Sequence, residues 1–282
     1  MSVFQAIRSV DVSVFHFLNG YAGNWLLDRF ASFEENNNLF KGGLFLAMYV
    51  YLWFRIGSDE ERRRKTIIAI LIGTLLTLVV SRAIADLAPF RIRPMSDPSI
   101  SSHPYSFPTS PNMENWSSFP SDTAAYFSAL AFGLAYLLRR YTLPIMLYTA
   151  GWICLPRAFL GLHYASDMVV GSAVGITVVW ASVRSEWLRS SLAPRVLDFM
   201  EAKPEIFYAS AFLLCFEMGV LFDDVRRVGR SLFHISFSEP YHELFRSLIS
   251  VCVFLVLVMI AAYVMFWVLN RFRRKVNHVS KI

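Results

Sequence analysis

Hydrophobic positions in this chain gather into long runs broken by short polar stretches. A membrane-spanning helix needs about 20 mostly apolar residues, because the hydrocarbon core is about 30 Å thick and a helix rises about 1.5 Å per residue. Seven runs approach that length, at about 40–56, 66–85, 121–138, 143–160, 167–185, 205–222 and 246–269. Backbone groups in lipid must be satisfied within their own segment, so each run predicts a helix. An eighth stretch, 11–32, carries Asn19, Gly20, Asn24, Asp28 and Arg29. Polar residues at mid-membrane depth are costly, so this stretch predicts an amphipathic helix lying in the interface. The expected fold is an all-α, polytopic membrane helix bundle with about seven spanning helices and an N-terminal interfacial helix. A core over 1–185 is expected to be followed by an extension over 186–282 that holds the last two spans.

Composition sharpens this picture. Of the 282 residues 55% are hydrophobic and 17% charged, against about 25% charged in a soluble domain. The net charge of +6 is compatible with a nucleic-acid partner, but aromatic residues at 16%, many inside the apolar runs, favour a membrane protein with basic residues at the bilayer edge. Cys154, Cys215 and Cys252 each sit in an apolar run and read as small hydrophobes, which excludes a disulfide framework. No cleavable signal peptide, internal repeat or low-complexity segment is evident. Lys and Arg collect in 55–65, at 139–140, in 184–203 and in the tail after 270. The positive-inside rule makes that side cytoplasmic and turns the Pro- and Ser-rich loop 86–120 outward. A loop of about 35 residues between closely spaced helices suggests function.

Three polar clusters fall on that outer face. Arg91-Ile92-Arg93-Pro94 opens the loop, Ser118-Phe119-Pro120-Ser121-Asp122-Thr123 closes it, and Arg157 through Asp167 forms the next outer turn. Arg91, Arg93 and Arg157 offer fork-shaped donors suited to phosphate oxygens. Ser121 adds a hydroxyl at a helix N-terminus, where free N–H groups attract an anion and where Asp122 and Thr123 follow. His163 is a candidate nucleophile, and Asp167, four residues on, is placed to bond its other ring nitrogen. Cationic donors around an oriented imidazole make a workable phosphoryl-transfer site without metal or cofactor. Each cluster also has an ordinary reading: headgroup anchors, a helix start, a surface pair.

On these residues the chain resembles the type 2 phosphatidic acid phosphatase superfamily, whose members include membrane lipid phosphatases, undecaprenyl diphosphate phosphatases and soluble haloperoxidases. The family pattern is Lys-x6-Arg-Pro, then Pro-Ser-Gly-His, then Arg-x5-His-x3-Asp. The third part is complete in Arg157, His163 and Asp167, and the others are half met by Arg93-Pro94 and Pro120-Ser121. The resemblance spans roughly 10–185. It implies a phosphohistidine at His163, supported by Asp167, with phosphate held by Arg93, Ser121 and Arg157.

Two positions depart from the pattern. Asp86 stands where the family has Lys, with Arg82 or Arg91 as alternative cations. Thr123 replaces the family's second-motif His, and Asp122 its Gly. Losing a general acid removes a factor of about 10² to 10⁴. A lipid diphosphate tolerates that loss, because it expels a phosphate monoester whose second pKa is about 6. Otherwise another acid is needed, from His103, Glu114, His234, His242 or Glu243. The functions implied are a membrane lipid phosphatase or phosphotransferase acting on a polyprenyl diphosphate or related lipid phosphate at the outer face of a bacterial inner membrane. The alternatives are a cell-envelope transferase serving a saccharide or lipid acceptor, and a non-catalytic lipid-phosphate binder. The segment 223–245, basic and with Phe233, Ile235, Phe237 and Tyr241 alternating with polar residues, is expected to cap the site or anchor at the interface.

Overall fold

The computed structural model describes residues 3–103, 105 and 116–222. Among them every regular element is helical and there is no strand. The run 246–269, the segment 223–245, and Glu114, His234, His242 and Glu243 lie outside the described residues.

The chain divides into two units, 1–190 and 191–282. In the first, α1 (Val3–Asn19) and α2 (Trp25–Asn36) precede α3 (Leu44–Phe54), which is entered through a π-helical turn at Leu39–Gly43. Then come α4 (Glu60–Leu87) and α5 (Asp122–Leu137). One helical rod follows, with α6 (Thr142–Tyr148) passing through a π-helical stretch into α7 (Leu155–Phe159), and α8 (Ala165–Arg184) completes the set. The second unit begins with α9 (Ala193–Ala202) and α10 (Pro204–Gly219). Two of these helices, α4 and α8, are long and apolar enough to cross a membrane; Leu39–Phe54 forms a shorter apolar one.

The single interfacial helix expected over 11–32 is instead two helices. Gly20 through Asn24 break it: Gly23 sits at φ +86 and the Asn24 side chain accepts from the Leu26 and Leu27 N–H groups, starting α2 afresh. Both helices bury polar residues and expose apolar ones. In α1 the buried stripe is Asp11, Phe15 and Asn19, while Phe4, Val10 and Phe17 face outward. In α2 Asp28, Ala31 and Glu34 are buried and Leu26 and Phe33 exposed. That inversion fits an apolar surrounding, where polar side chains turn inward.

The core is α5, buried almost all round by α4 and α8. Close approach is possible because Gly171 and Gly175, one turn apart on α8, lie against the α5 backbone at Ser121 and Ala125. A Cβ at either would overlap a backbone carbonyl oxygen. At the other end Arg63 of α4 donates from Nε to Leu52 O at 2.8 Å, binding a carbonyl at the end of α3. Glu60–Arg64 and Glu61–Lys65 pair one turn apart along α4, at 2.8 and 2.5 Å.

A candidate phosphoryl-binding site at the ends of α5, α7 and α8

Three local devices bring the site together. First, α7 ends in a Schellman arrangement. Gly161 takes φ +67, its N–H donates to Ala158 O at 3.1 Å, and the Leu162 N–H reaches Arg157 O at 3.0 Å. Only glycine adopts that conformation cheaply, and it turns the chain so that His163 follows directly. Second, Ser121 caps α5, its Oγ accepting from the Ala124 N–H at 3.3 Å, while its own N–H donates to Asp167 O at 3.1 Å. Third, Asp167 occupies the third position of α8, where its Oδ2 accepts the Tyr164 N–H at 2.9 Å.

His163 is buried and held on both nitrogens. Nδ1 lies 2.8 Å from Ser118 O, a carbonyl that only accepts, so Nδ1 carries the proton and Nε2 presents its lone pair. Arg93 Nη1 stands 3.4 Å from that Nε2 and donates to Leu162 O at 2.7 Å. Burial first, then the positive charges of Arg157 and Arg93, push the His163 pKa well below its usual 6.5, against the opposing pull of Asp122 and the Ser118 bond. The ring is therefore neutral, the state a nucleophile requires.

Asp167 does not meet the ring nitrogen, as the sequence reading had placed it. Its Oδ2 accepts from Ser118 Oγ at 2.5 Å and its Oδ1 pairs with Arg91. The carboxylate thus acts one residue away, through the serine whose carbonyl orients the imidazole. Arg91, read as a phosphate ligand, is likewise occupied. Nη2 pairs with Asp11 at 2.6 Å, Nη1 bonds Ser166 Oγ at 2.8 Å, and the guanidinium lies 4.1 Å over the Tyr164 ring. Asp122 pairs with Arg82 at 3.0 Å, and as a carboxylate it repels rather than ligates phosphate. Thr123 is buried, 3% exposed, at the start of α5.

Arg93 and Arg157 differ from Arg91. Both are buried, and the Nε of each has no hydrogen-bond partner. A buried, unpaired guanidinium N–H is costly, and an anionic oxygen is the partner its charge favours. Arg157 is steadied from α2, its Nη1 pairing with Glu35 Oε2 at 2.6 Å. Burial lowers the Arg93 pKa, while the negative charges of Asp122 and Asp167 oppose the shift.

Sequence reasoning missed Asp11 and Glu35, and it quoted Ser118 without giving it a role. Asp11 is 2% exposed and accepts from the Ser166 N–H at 2.9 Å and Ser166 Oγ at 2.6 Å, besides Arg91. The available signal was that both are carboxylates within or beside an apolar amphipathic stretch, where charge marks a partner. Among the proposed replacement acids, His103 enters through its backbone, bonding the Asn19 side chain. No group of His, Cys, Asp and Glu among the described residues could hold a metal ion.

Residues 65–191 match the family model of the PAP2 superfamily, a narrower span than the 10–185 over which the motifs had suggested the likeness. Members of that family are generally phosphatases, acting on lipid phosphates. The match begins inside α4, so α1 to α3 and the carboxylates they lend to the site lie outside it. No curated protein and no solved structure matches the chain.

Proposed function

Starting from a chain whose residues 65–191 belong to the PAP2 superfamily, we propose that it is a membrane-embedded lipid phosphatase or phosphotransferase. Its substrate is a polyprenyl diphosphate or related lipid diphosphate, reached at the outer face of the membrane, with His163 as nucleophile. One observation carries this reading: two buried guanidinium groups, Arg93 and Arg157, each keep an unpartnered Nε beside a neutral imidazole whose lone pair points toward Arg93. The inverted polarity of α1 and α2 and the apolar lengths of α4 and α8 support the membrane setting. The basic residues at 55–65 support the orientation, with the seven runs read as seven crossings.

In this reading the phosphoryl oxygens bind between Arg93 and Arg157, drawing Arg93 off Nε2. The Nε2 lone pair then attacks phosphorus while Ser118 O keeps the Nδ1 proton and stabilises the positive charge that forms on the ring. With Thr123 in place of an acid, the leaving oxygen departs unprotonated. That suits a diphosphate, whose leaving group is a phosphate monoester with a second pKa of about 6, and disfavours an alkoxide. The test is a phosphate-release panel on purified protein without added divalent metal. Lipid diphosphates are expected to turn over, lipid monophosphates to lag, and His163→Ala to abolish release. Absence of phosphate release from every lipid in the panel overturns the reading.

A further inference from the structure

A phosphohistidine must be discharged, and the groups described so far leave one proton without a destination. When a hydroxyl attacks the phosphorus, its oxygen forms the new P–O bond and the P–Nε2 bond breaks, its electron pair returning to Nε2. Because Nδ1 already carries its proton, His163 departs as a neutral ring and takes nothing up. The hydroxyl proton therefore needs a separate acceptor.

The carboxylates of the site are placed differently with respect to it. Asp167 is fully buried and receives the Ser118 hydroxyl, the Tyr164 N–H and Arg91. Glu35 is bound to Arg157 and, like Asp167, is not among the residues that line the pocket bordered by Arg93. Asp122 is different. It lines a polar pocket with Arg82, Ser117 and the same Arg93 whose Nη1 lies 3.4 Å from His163 Nε2. Its side chain is 24% exposed. Its orientation is fixed from two sides, Oδ2 on Arg82 at 3.0 Å and Oδ1 on the Thr123 N–H at 2.9 Å. Arg82 is itself seated 4.5 Å over the Trp116 ring. The negative charge of Asp122 is felt at the imidazole, where it opposes the two arginines.

We propose that Asp122 is the base of the second half-reaction, accepting the proton of the hydroxyl, from water or from an alcohol, that attacks phosphohistidine at position 163. The assignment rests on the proposed function above. It divides the chemistry in two. Among the described residues no acid stands in the place of Thr123 for the first half, which favours a weakly basic leaving group, while a fixed carboxylate serves the second, as an aspartate does for a substrate hydroxyl in kinases. The proton then leaves to solvent through the pocket before the next turnover.

The experiment follows full-length protein in detergent with a polyprenyl diphosphate labelled in its terminal phosphate, by rapid quench. In Asp122→Asn, lipid monophosphate should still appear as a first-turnover burst. Acid-labile label should build up on the chain toward one per molecule, and steady phosphate release should fall about 10² to 10⁴-fold. Asp122→Glu, which keeps a carboxylate, should recover part of the release and lose the accumulated label. With glycerol present, glycerol phosphate formation should fall in the same proportion as phosphate release if both hydroxyls use this base. Loss of the burst together with turnover in both variants overturns the proposal, since Asp122 would then serve binding or structure. Unchanged release in Asp122→Asn overturns it too. A wild-type chain that neither acquires label nor releases phosphate removes the underlying site reading, and this assignment with it.

Discussion

Asp167→Asn separates an orienting role from a direct one. Where a carboxylate itself bonds the catalytic imidazole, replacing it by the amide costs about 10⁴ in rate, because the ring loses the partner that holds its tautomer. Here that partner is Ser118 O, 2.8 Å from Nδ1, and a backbone carbonyl survives the substitution. What Asp167→Asn removes is the negative charge and one of the two acceptor oxygens, so the amide cannot accept from both Ser118 Oγ and Arg91, and its NH2 faces one of them. The Ser118 segment loosens, but the proton stays on Nδ1. Outer partners of this kind typically contribute 10–100-fold, or about 1.4–2.7 kcal/mol, so the expected loss in kcat/KM on a lipid diphosphate is about 10–100-fold by that analogy. Stability should fall as well. Removing one member of a buried ion pair costs about 3–5 kcal/mol. Asp11 still pairs with Arg91, whose side chain is 26% exposed, so about 2 kcal/mol is the expected share. Phosphate release and thermal unfolding in detergent measure the two effects. A 10⁴-fold loss with unfolding unchanged would refute the relay through Ser118 and put Asp167 on the ring.

Three further outcomes follow from other contacts. Glu35→Leu should destabilise the chain by about 2–3 kcal/mol because it strands a buried Arg157, and the double variant Glu35→Leu/Arg157→Met should regain much of that loss in a thermal-unfolding cycle. Glu34 is 1% exposed, neither oxygen has a hydrogen-bond partner, and burial lifts its pKa to about 7 despite Lys41 at 4.0 Å. The folded chain thus holds its proton more tightly than the unfolded one, so this contribution is complete below pH 4.5 and fades as pH rises through about 7. Glu34→Gln should raise the unfolding temperature at pH 8, by the equivalent of about 2–3 kcal/mol, and change it little at pH 5. Gly175→Ala should cost about 1–3 kcal/mol and lower turnover too, since a methyl there pushes α5 off α8 and moves the Ser121–Asp167 junction.

The helices were legible because runs of apolar residues leave a backbone in lipid few alternatives, and α4, α5 and α8 stand where the runs are. The break at Gly20 to Asn24 was less so. Asn24 is a polar blemish in a linear reading, yet in three dimensions it is a cap, and capping depends on a side chain reaching back to its own backbone. The site shows the same division. Spacing grouped Arg93, Arg157 and His163 as candidates: the turn after α7 carries Arg157 to His163 locally, whereas Arg93 arrives from 70 residues away, beside the Met95 N–H to Gly161 O bond. Arg91 meets carboxylates that Arg93 does not, and one of them, Asp11, lies 80 residues away along the chain, where spacing gives no sign of it.

That separation has a functional consequence. The guanidiniums came as a set of like charges from the residues matched to the family, and the N-terminal helices supply two of the anions that sort them. Asp11 turns Arg91 into scaffold. Glu35 steadies Arg157 through Nη1 while leaving its Nε open, and Arg93 meets no carboxylate in an ion pair among the described residues. Without those anions the buried charges of Arg93 and Arg157 would repel one another with less compensation, a repulsion that low dielectric magnifies. With them, the excess positive charge is concentrated beside Nε2, where an incoming phosphoryl group would need it. The helices before α4 are in this sense part of the candidate site, although no motif records them.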